Sequence, residues 1–172
     1  MVESPGVEMI YTSDEEGNLL SLESRSKLHR AKTSKRHAAV IGMIRRKDGR
    51  FLVQWRAKNK LGGERLDVSA TTHVRKGETY ESALQRSFKN ELEINAKVPL
   101  SHSFDFRYEE ELGEGKENEY CKVFVGHYDG SYTPNPEEID SVEFKTLDEL
   151  KEIVRSNPGK VTKWMRETVA RM

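Results

Sequence analysis

The sequence predicts a mixed α/β fold, and three observations carry that prediction. Ala38–Ile44 (AAVIGMI) is an almost unbroken apolar run of strand length, and an Asp-Gly turn at Lys47–Arg50 leads into a returning strand, Phe51–Arg56 (FLVQWR). Residues 77–94 (GETYESALQRSFKNELEI) then change to helical periodicity. Beyond them come further extended segments and two more helical stretches, so the order is strands, helix, strands, helices.

The elements follow in chain order. Met9–Thr12 and Leu19–Leu22 flank the turn residues Asp14–Asn18 and predict an N-terminal hairpin over 9–22. Residues 23–36 (ESRSKLHRAKTSKR) hold six Lys/Arg and read as a basic connection into the core. Lys58–Glu64, with Gly62-Gly63, reads as a loop, and Leu66–Thr71 as a further strand. Thr79 is the expected N-cap of the central helix, with Glu78 and Glu81 near the positive end of its dipole. Ala83, Leu84, Ser87, Phe88 and Glu91 share one face of it, apolar except at Ser87 and Glu91. Ser103–Glu109 and Glu119–His127 are expected as strands around a polar loop, Glu110–Lys116, and Val142–Lys145 as a short strand after the loop Pro134–Glu138. Thr146-Leu147-Asp148-Glu149 is a capping box opening a helix that Asn157-Pro158-Gly159 ends. The last helix, 161–172, lines up Trp164, Met165, Thr168, Val169 and Met172.

Composition narrows the class of protein. The 172 residues are long enough for one domain, expected over 1–172 with its core at about 36–157. Basic and acidic residues balance at 29 each, which leaves no global field for steering nucleic acid or an acidic membrane. There is no apolar stretch of ~18 residues and no basic-then-apolar leader, and the lone Cys121 has no intrachain partner, so a cytoplasmic setting is expected. Neutral charge is compatible with a monomer or a homodimer.

Three sets of residues stand out as chemistry. Glu91 is a carboxylate on an otherwise apolar helix face; the ordinary alternative is a charge at the edge of that face reaching solvent. Glu117 and Glu119, two apart in an extended segment, project from one face and suit a divalent cation or acid/base work; the alternative is a solvated strand end. His29, His37 and His73 are imidazoles near strand or loop junctions, each alone more often structural than ligating. Arg25, Arg56 and Lys60 are able to hold phosphate oxygens or simply to be solvated, and His102 and His127 keep the ordinary structural reading.

Together these residues resemble a known pattern. GETYESALQRSFKNELEI is similar to a degenerate Nudix box, G-x5-E-x7-R-E-U-x-E-E-x-G-U, through Glu78, Arg86, Glu91 and Ile94, with Phe88 an apolar substitute. It departs at Thr72, Ser87, Asn90 and Glu93. The flanks resemble the type I isopentenyl-diphosphate isomerase-like branch, which loses the same two box carboxylates: Leu28-His29-Arg30, His37, Ser69–His73, Phe106-Arg107-Tyr108, Glu117-Asn118-Glu119 and Trp164-Met165. The resemblance implies a Nudix fold, a mixed central sheet sandwiched by helices with the hairpin at its N-terminus.

It also implies a divalent metal held by His29, His37, His73, Glu117 and Glu119, with a second ion carried by a substrate diphosphate and reached by Glu91. Such a ligand set suits Mg²⁺ or Mn²⁺, with Zn²⁺ a further candidate at the histidines. Arg25, Arg56 and Lys60 fall where diphosphate contacts are expected, and Glu117, Glu119, Thr71, Tyr108 and Trp164 where the catalytic pocket is expected. The important departure is Thr71, which stands where isomerases place a cysteine. Isomerisation needs an acid and a base on opposed sides of the substrate, and a threonine hydroxyl is a poor replacement for a thiol of pKa ~8.5. Hydrolysis of a small-molecule diphosphate needs no second proton partner at carbon. Three readings stand: a metal-dependent Nudix hydrolase, an isopentenyl-diphosphate isomerase, and a silent binding module. No base-recognition feature is visible, and neither nucleic acid nor membrane is expected as a partner.

Overall fold

The computed structural model describes residues 6–30, 35–113 and 115–172. It opens with the expected hairpin, β1 (Met9–Ser13) and β2 (Leu19–Ser24), paired antiparallel with Tyr11 opposite Leu22. Asp14 closes the turn by accepting from the Asn18 and Glu16 amides at 2.8 and 3.0 Å. Gly17 at φ 81° is required there, because a Cβ would stand 2.2 Å from the Tyr120 ring. Part of the stretch read as a connection is instead a one-and-a-half-turn helix, α1 (Arg25–Arg30), seated by its one buried residue, Leu28. Residues 31–34 of that connection lie outside the described residues.

β3 (His37–Arg45) is the middle of the sheet, buried from His37 through Ile44. It pairs in parallel with β8 (Gly115–His127), while β1, β4 (Phe51–Arg56) and β6 (Ala70–His73) run antiparallel to it. The segment Leu66–Thr71, expected as one strand, divides in two. β5 (Leu66–Asp67) pairs with β4, and β6 crosses to β3, so one run of residues serves two neighbours. β7 (Leu100–Leu112) and β8 form a long hairpin, and the expected loop Glu110–Lys116 is largely strand, with Glu114 outside the described residues. Polarity misled the reading there: cross-strand pairs such as Lys116 with Glu109, at 2.7 Å, stabilise a charged ladder that faces solvent. β9 (Ile139–Lys145) completes the sheet against β4.

α2 (Tyr80–Leu92) covers one face of this sheet. Thr79 caps it, accepting from the Ser82 amide, and Ser82 returns the bond to the Thr79 amide. Its buried Ala83, Leu84, Phe88 and Leu92 pack with Val40, Ile44 and Leu52, and each large side chain contributes roughly 1.5–3 kcal/mol on burial. Gly42 allows this approach, since a Cβ there would lie 2.7 Å from the Phe88 ring. The helix ends at Glu93, whose left-handed φ of 51° falls where the Nudix pattern has its last glycine. α3 (Leu147–Ser156), capped by Thr146, and α4 (Lys163–Arg171) cover the opposite face, with Ile41, Met43, Val53, Leu150, Met165 and Val169 as its core. α4 starts two residues later than expected, because Val161 is still extended beside Leu66 and the Thr162 side chain caps the helix. Helices on both faces of a mixed sheet are the layering expected of the resemblance. Among the described residues, no helix is long and apolar enough to cross a membrane.

Candidate metal centre and phosphate cleft

Four chain segments deliver one cluster. In the sheet, His37 begins β3, Glu119 lies beside it in the parallel register with β8, and His73 ends β6 opposite Ala39. α1 supplies His29. Because strand side chains alternate, Glu117 and Glu119 do share a face, and both are buried, at 3% and 6% exposure, so the solvated-end alternative is excluded.

The rings form a near-threefold propeller, with centroids 5.1–5.2 Å apart and planes at 60–62°. All three Nε2 atoms meet the carboxylates: His29 and His37 stand 2.9 and 3.1 Å from Glu117, and His73 stands 2.9 Å from Glu119. The Nδ1 atoms of His29 and His37 bond outward, to the Arg25 and Lys35 carbonyls at 2.7 and 3.2 Å. A ring that donates Nδ1–H to a carbonyl keeps its Nε2 lone pair for the centre. One ligand atom each from His29, His37, His73 and Glu117 lies within 4.8 Å of all the others. Ligands ~2.1 Å from a common ion are about 3–4 Å apart, so modest contraction suffices.

The donor set fits a divalent cation on an independent observation. His29 Nε2 is buried and has no hydrogen-bond partner although Glu117 is near, because the two are not aligned for one. An orphaned imidazole nitrogen set 2.9 Å from the buried Glu117 carboxylate is what a metal ligand looks like without its ion. The electrostatics agree. Burial alone would lower the His37 imidazole, but Glu117 and Glu119 outweigh it and push it up to about 10. Burial would likewise raise Glu119, yet His37 and His73 hold it well below the usual carboxylate range. The enclosed carboxylates thus demand positive charge. We expect His37→Ala, stripped by chelator and reconstituted, to bind Mn²⁺ or Zn²⁺ at least about tenfold more weakly than the unaltered chain. Elemental analysis and calorimetry check this, and unchanged stoichiometry and affinity would remove His37 from the centre.

Glu117, Glu119 and His73 line a cleft of about 300 Å³, shared with Thr71, Glu91, Tyr108, Trp164, Arg25, Arg56 and Lys60. Tyr108 donates its hydroxyl to Glu119 Oε2 at 2.8 Å, and burial, ahead of the Glu119 charge, keeps the phenol protonated by raising it well above its ordinary range. Thr71 gives its hydroxyl to the Val40 carbonyl at 3.1 Å. Glu91 does not reach solvent: it is buried in the cleft wall, accepting from Gln54 at 2.9 Å and Ser87 at 2.5 Å. Burial pushes it up to about 7, against those two donors. It lies outside the four-residue ligand group.

The cations divide by partner. Arg56 is buried and donates Nη1 to Asp67 at 2.6 Å and Nε to the Leu61 carbonyl at 2.8 Å, with its guanidinium 5.3 Å from the Trp164 ring. Lys60 pairs with Glu138, and Arg25 lies 3.7 Å from Glu8. The box residues Glu78 and Arg86 clamp one another at 2.6 Å, and Arg86 also donates to the His73 carbonyl at 2.9 Å, which ties α2 to the strand end carrying that imidazole. His102 bonds Asp105 at 2.7 Å on the exposed part of β7, and His127 is exposed at the end of β8, neither belonging to the ligand group.

Sequence reasoning missed four residues of this region: Glu8, Gln54, Asp67 and Arg75. Gln54 and Asp67 were detectable, since each is a polar residue set among apolar ones in a segment expected as a strand, where burial would oblige it to find a partner. Glu8 and Arg75 had no such mark.

A family model described as NUDIX domain matches residues 35–171. An isopentenyl-diphosphate Delta-isomerase of Brevibacterium linens is 28% identical over 163 residues, covering 94% of this chain and 89% of that protein. An uncharacterized Nudix hydrolase of Yersinia pestis is 30% identical over 151 residues, covering 84% of this chain and 76% of that one. Among solved structures, DR0079 from Deinococcus radiodurans is similar in fold, with a TM-score of 0.73 at 21% identity over 95% of this chain and 98% of that one.

Proposed function

The chain belongs to the NUDIX domain family, in its isopentenyl-diphosphate isomerase-like branch, and from that premise we propose that it is a divalent-metal-dependent hydrolase of a small diphosphate. One observation carries the reading: the group His29, His37, His73 and Glu117, with Glu119 against His73, opens into a cleft lined by Arg25, Arg56 and Lys60. A divalent ion held by His29, His37, His73, Glu117 and Glu119 would supply Lewis acidity toward a phosphoryl oxygen. Everything else falls to the side chains. Arg25 and Lys60 bind phosphate oxygens, and Arg56 adds its charge from the wall. The Glu91 carboxylate is hydrogen-bonded by the neutral donors Ser87 and Gln54, and burial raises it against them and against the nearby Arg56 charge, so this carboxylate is suited to take a proton from water near neutrality. In the step, the water oxygen bonds to phosphorus, the bridging P–O bond breaks with its electron pair kept by the bridging oxygen, which departs as the second phosphate, and the water's proton passes to Glu91. Tyr108, bonded to Glu119, holds that carboxylate in place, while His37 and His73 keep it ionised.

A second reading, isomerisation, is favoured by the Tyr108–Glu119 pair and by Trp164, whose ring centroid is 6.1 Å from Tyr108. Its difficulty is Thr71. The hydroxyl opposite Glu119 in the isomerase pattern is engaged with the Val40 carbonyl, and an alcohol exchanges a proton with carbon poorly. A single NMR experiment separates the readings. The chain is incubated in D₂O with Mg²⁺ or Mn²⁺ and isopentenyl diphosphate, then with other small diphosphates, while ¹H and ³¹P spectra are followed together. Orthophosphate released without deuterium uptake at carbon is the expected result. Deuterium in allylic positions, or dimethylallyl signals, would replace hydrolysis by isomerisation. No reaction with any diphosphate tried would leave the binding-module reading in its place.

A further inference from the structure

Most cations of the cleft are matched one to one. Arg56 has the buried Asp67, Arg86 has Glu78, and Lys60 has Glu138. Arg25 and Arg75 differ, because they share a single acid. Glu8, immediately before β1, accepts from Arg75 Nε at 2.9 Å and lies 3.7 Å from Arg25 Nε. All three residues line the cleft. Bonds from backbone amides hold them there: the Arg25 amide donates to the Glu8 carbonyl at 2.9 Å, the Tyr11 amide to the Val74 carbonyl at 2.9 Å, and the Arg75 amide to the Glu78 carboxylate at 2.9 Å. The side chains remain accessible, at 46% for Arg25, 43% for Arg75 and 30% for Glu8. Two guanidiniums on one accessible carboxylate leave a net positive site beside the metal cluster.

We propose that Arg25 and Arg75 form the subsite for a terminal, unsubstituted phosphate of the substrate, and that Glu8 is its resident counter-ion, displaced when that phosphate binds. This rests on the diphosphate reading above and makes it narrower. Arg25 was an expected phosphate contact; Arg75 and Glu8 enter only through their placement. An accessible ion pair is weak, so little is lost when Glu8 leaves. What replaces it decides the selectivity. A phosphodiester carries one negative charge and only repeats what Glu8 supplied, whereas a terminal phosphate carries nearly two and offers oxygens to both guanidinium forks. The subsite therefore selects diphosphates substituted at one end over those substituted at both.

The test is calorimetric binding of inorganic pyrophosphate and of P,P′-dimethyl diphosphate to the full chain at fixed Mg²⁺. The unaltered chain is expected to prefer pyrophosphate by about tenfold or more, roughly 1.4 kcal/mol. Glu8→Gln should tighten pyrophosphate binding several-fold by removing the competing charge. Arg75→Gln should weaken it about tenfold and erase most of the preference. A purely structural Glu8–Arg75 pair would make both variants bind less well or leave both unchanged, and either outcome overturns the proposal. Equal affinity of the unaltered chain for the two probes also overturns it, while the diphosphate reading survives. If neither the unaltered chain nor Glu8→Gln binds pyrophosphate, both fall.

Discussion

Glu119→Gln is expected to lower turnover on the diphosphate substrate by at least about 10²-fold, with the chain still folded. The carboxylate is almost the size of the amide, so the loss is one of charge and of acceptor capacity. Glu119 accepts at Oε1 from His73 and at Oε2 from Tyr108, with Cys121 3.5 Å from the second oxygen. Glutamine keeps one acceptor oxygen but turns an NH₂ either toward an imidazole nitrogen or toward the Tyr108 hydroxyl. The cluster then has one buried negative charge in place of two, and its hold on a divalent ion weakens accordingly. Steady-state kinetics, with circular dichroism and chromatography as controls on the fold, provide the measurement. Turnover within threefold of the unaltered chain, at saturating metal, would exclude Glu119 from the site.

Asp67→Ala carries the largest expected effect on stability, about 3–5 kcal/mol. Asp67 is fully buried, and four groups converge on it. Arg56 donates to Oδ2 at 2.6 Å, while the Val68 amide, Thr162 hydroxyl and Trp164 indole donate to Oδ1 at 2.8, 2.9 and 2.6 Å. These bonds join β4, β5 and the start of α4. Removing the carboxylate leaves the Arg56 charge uncompensated and unfastens Trp164, so a fall in melting temperature on the order of 10 °C is expected, together with a change in Trp fluorescence. Asp67→Asn should fall between the two, since it retains an acceptor for the indole but no charge for Arg56. An unchanged melting curve for Asp67→Ala would show that the network contributes little.

Much of this architecture was legible in the residues themselves, and for local reasons. Capping chemistry is local, so Thr79 and Thr146 begin their helices where the sequence places them. The apolar run at Ala38–Ile44 must be covered on both faces, and β3 is. Segments whose partners are remote were harder to read. Leu66–Thr71 looks like one strand because apolar content records burial without naming the neighbour. Glu110–Lys116 looks like a loop because a charged ladder, seen one strand at a time, resembles solvated chain. Residues 25–30 gave no helical indication beyond Leu28, and their helix is held by packing.

The candidate site divides in the same way. The resemblance nominated each imidazole and carboxylate of the cluster, and period-two alternation put Glu117 and Glu119 on one face; both follow from order along the chain. The sequence by itself therefore determined the fold class, the family and the kinds of atom available to a cation. Tertiary structure alone decided how those atoms meet. Parallel pairing of β3 with β8 sets His37 beside Glu119, 82 positions apart, and α1 brings His29 over them. It alone committed Arg56 to Asp67, drew Glu91 into the wall, and set Arg75 and Arg25 around Glu8. Each outcome depends on which groups lie within a few ångströms once the sheet has closed. Charge and hydrogen bonding act over that distance, and a sequence records composition and order but not separation.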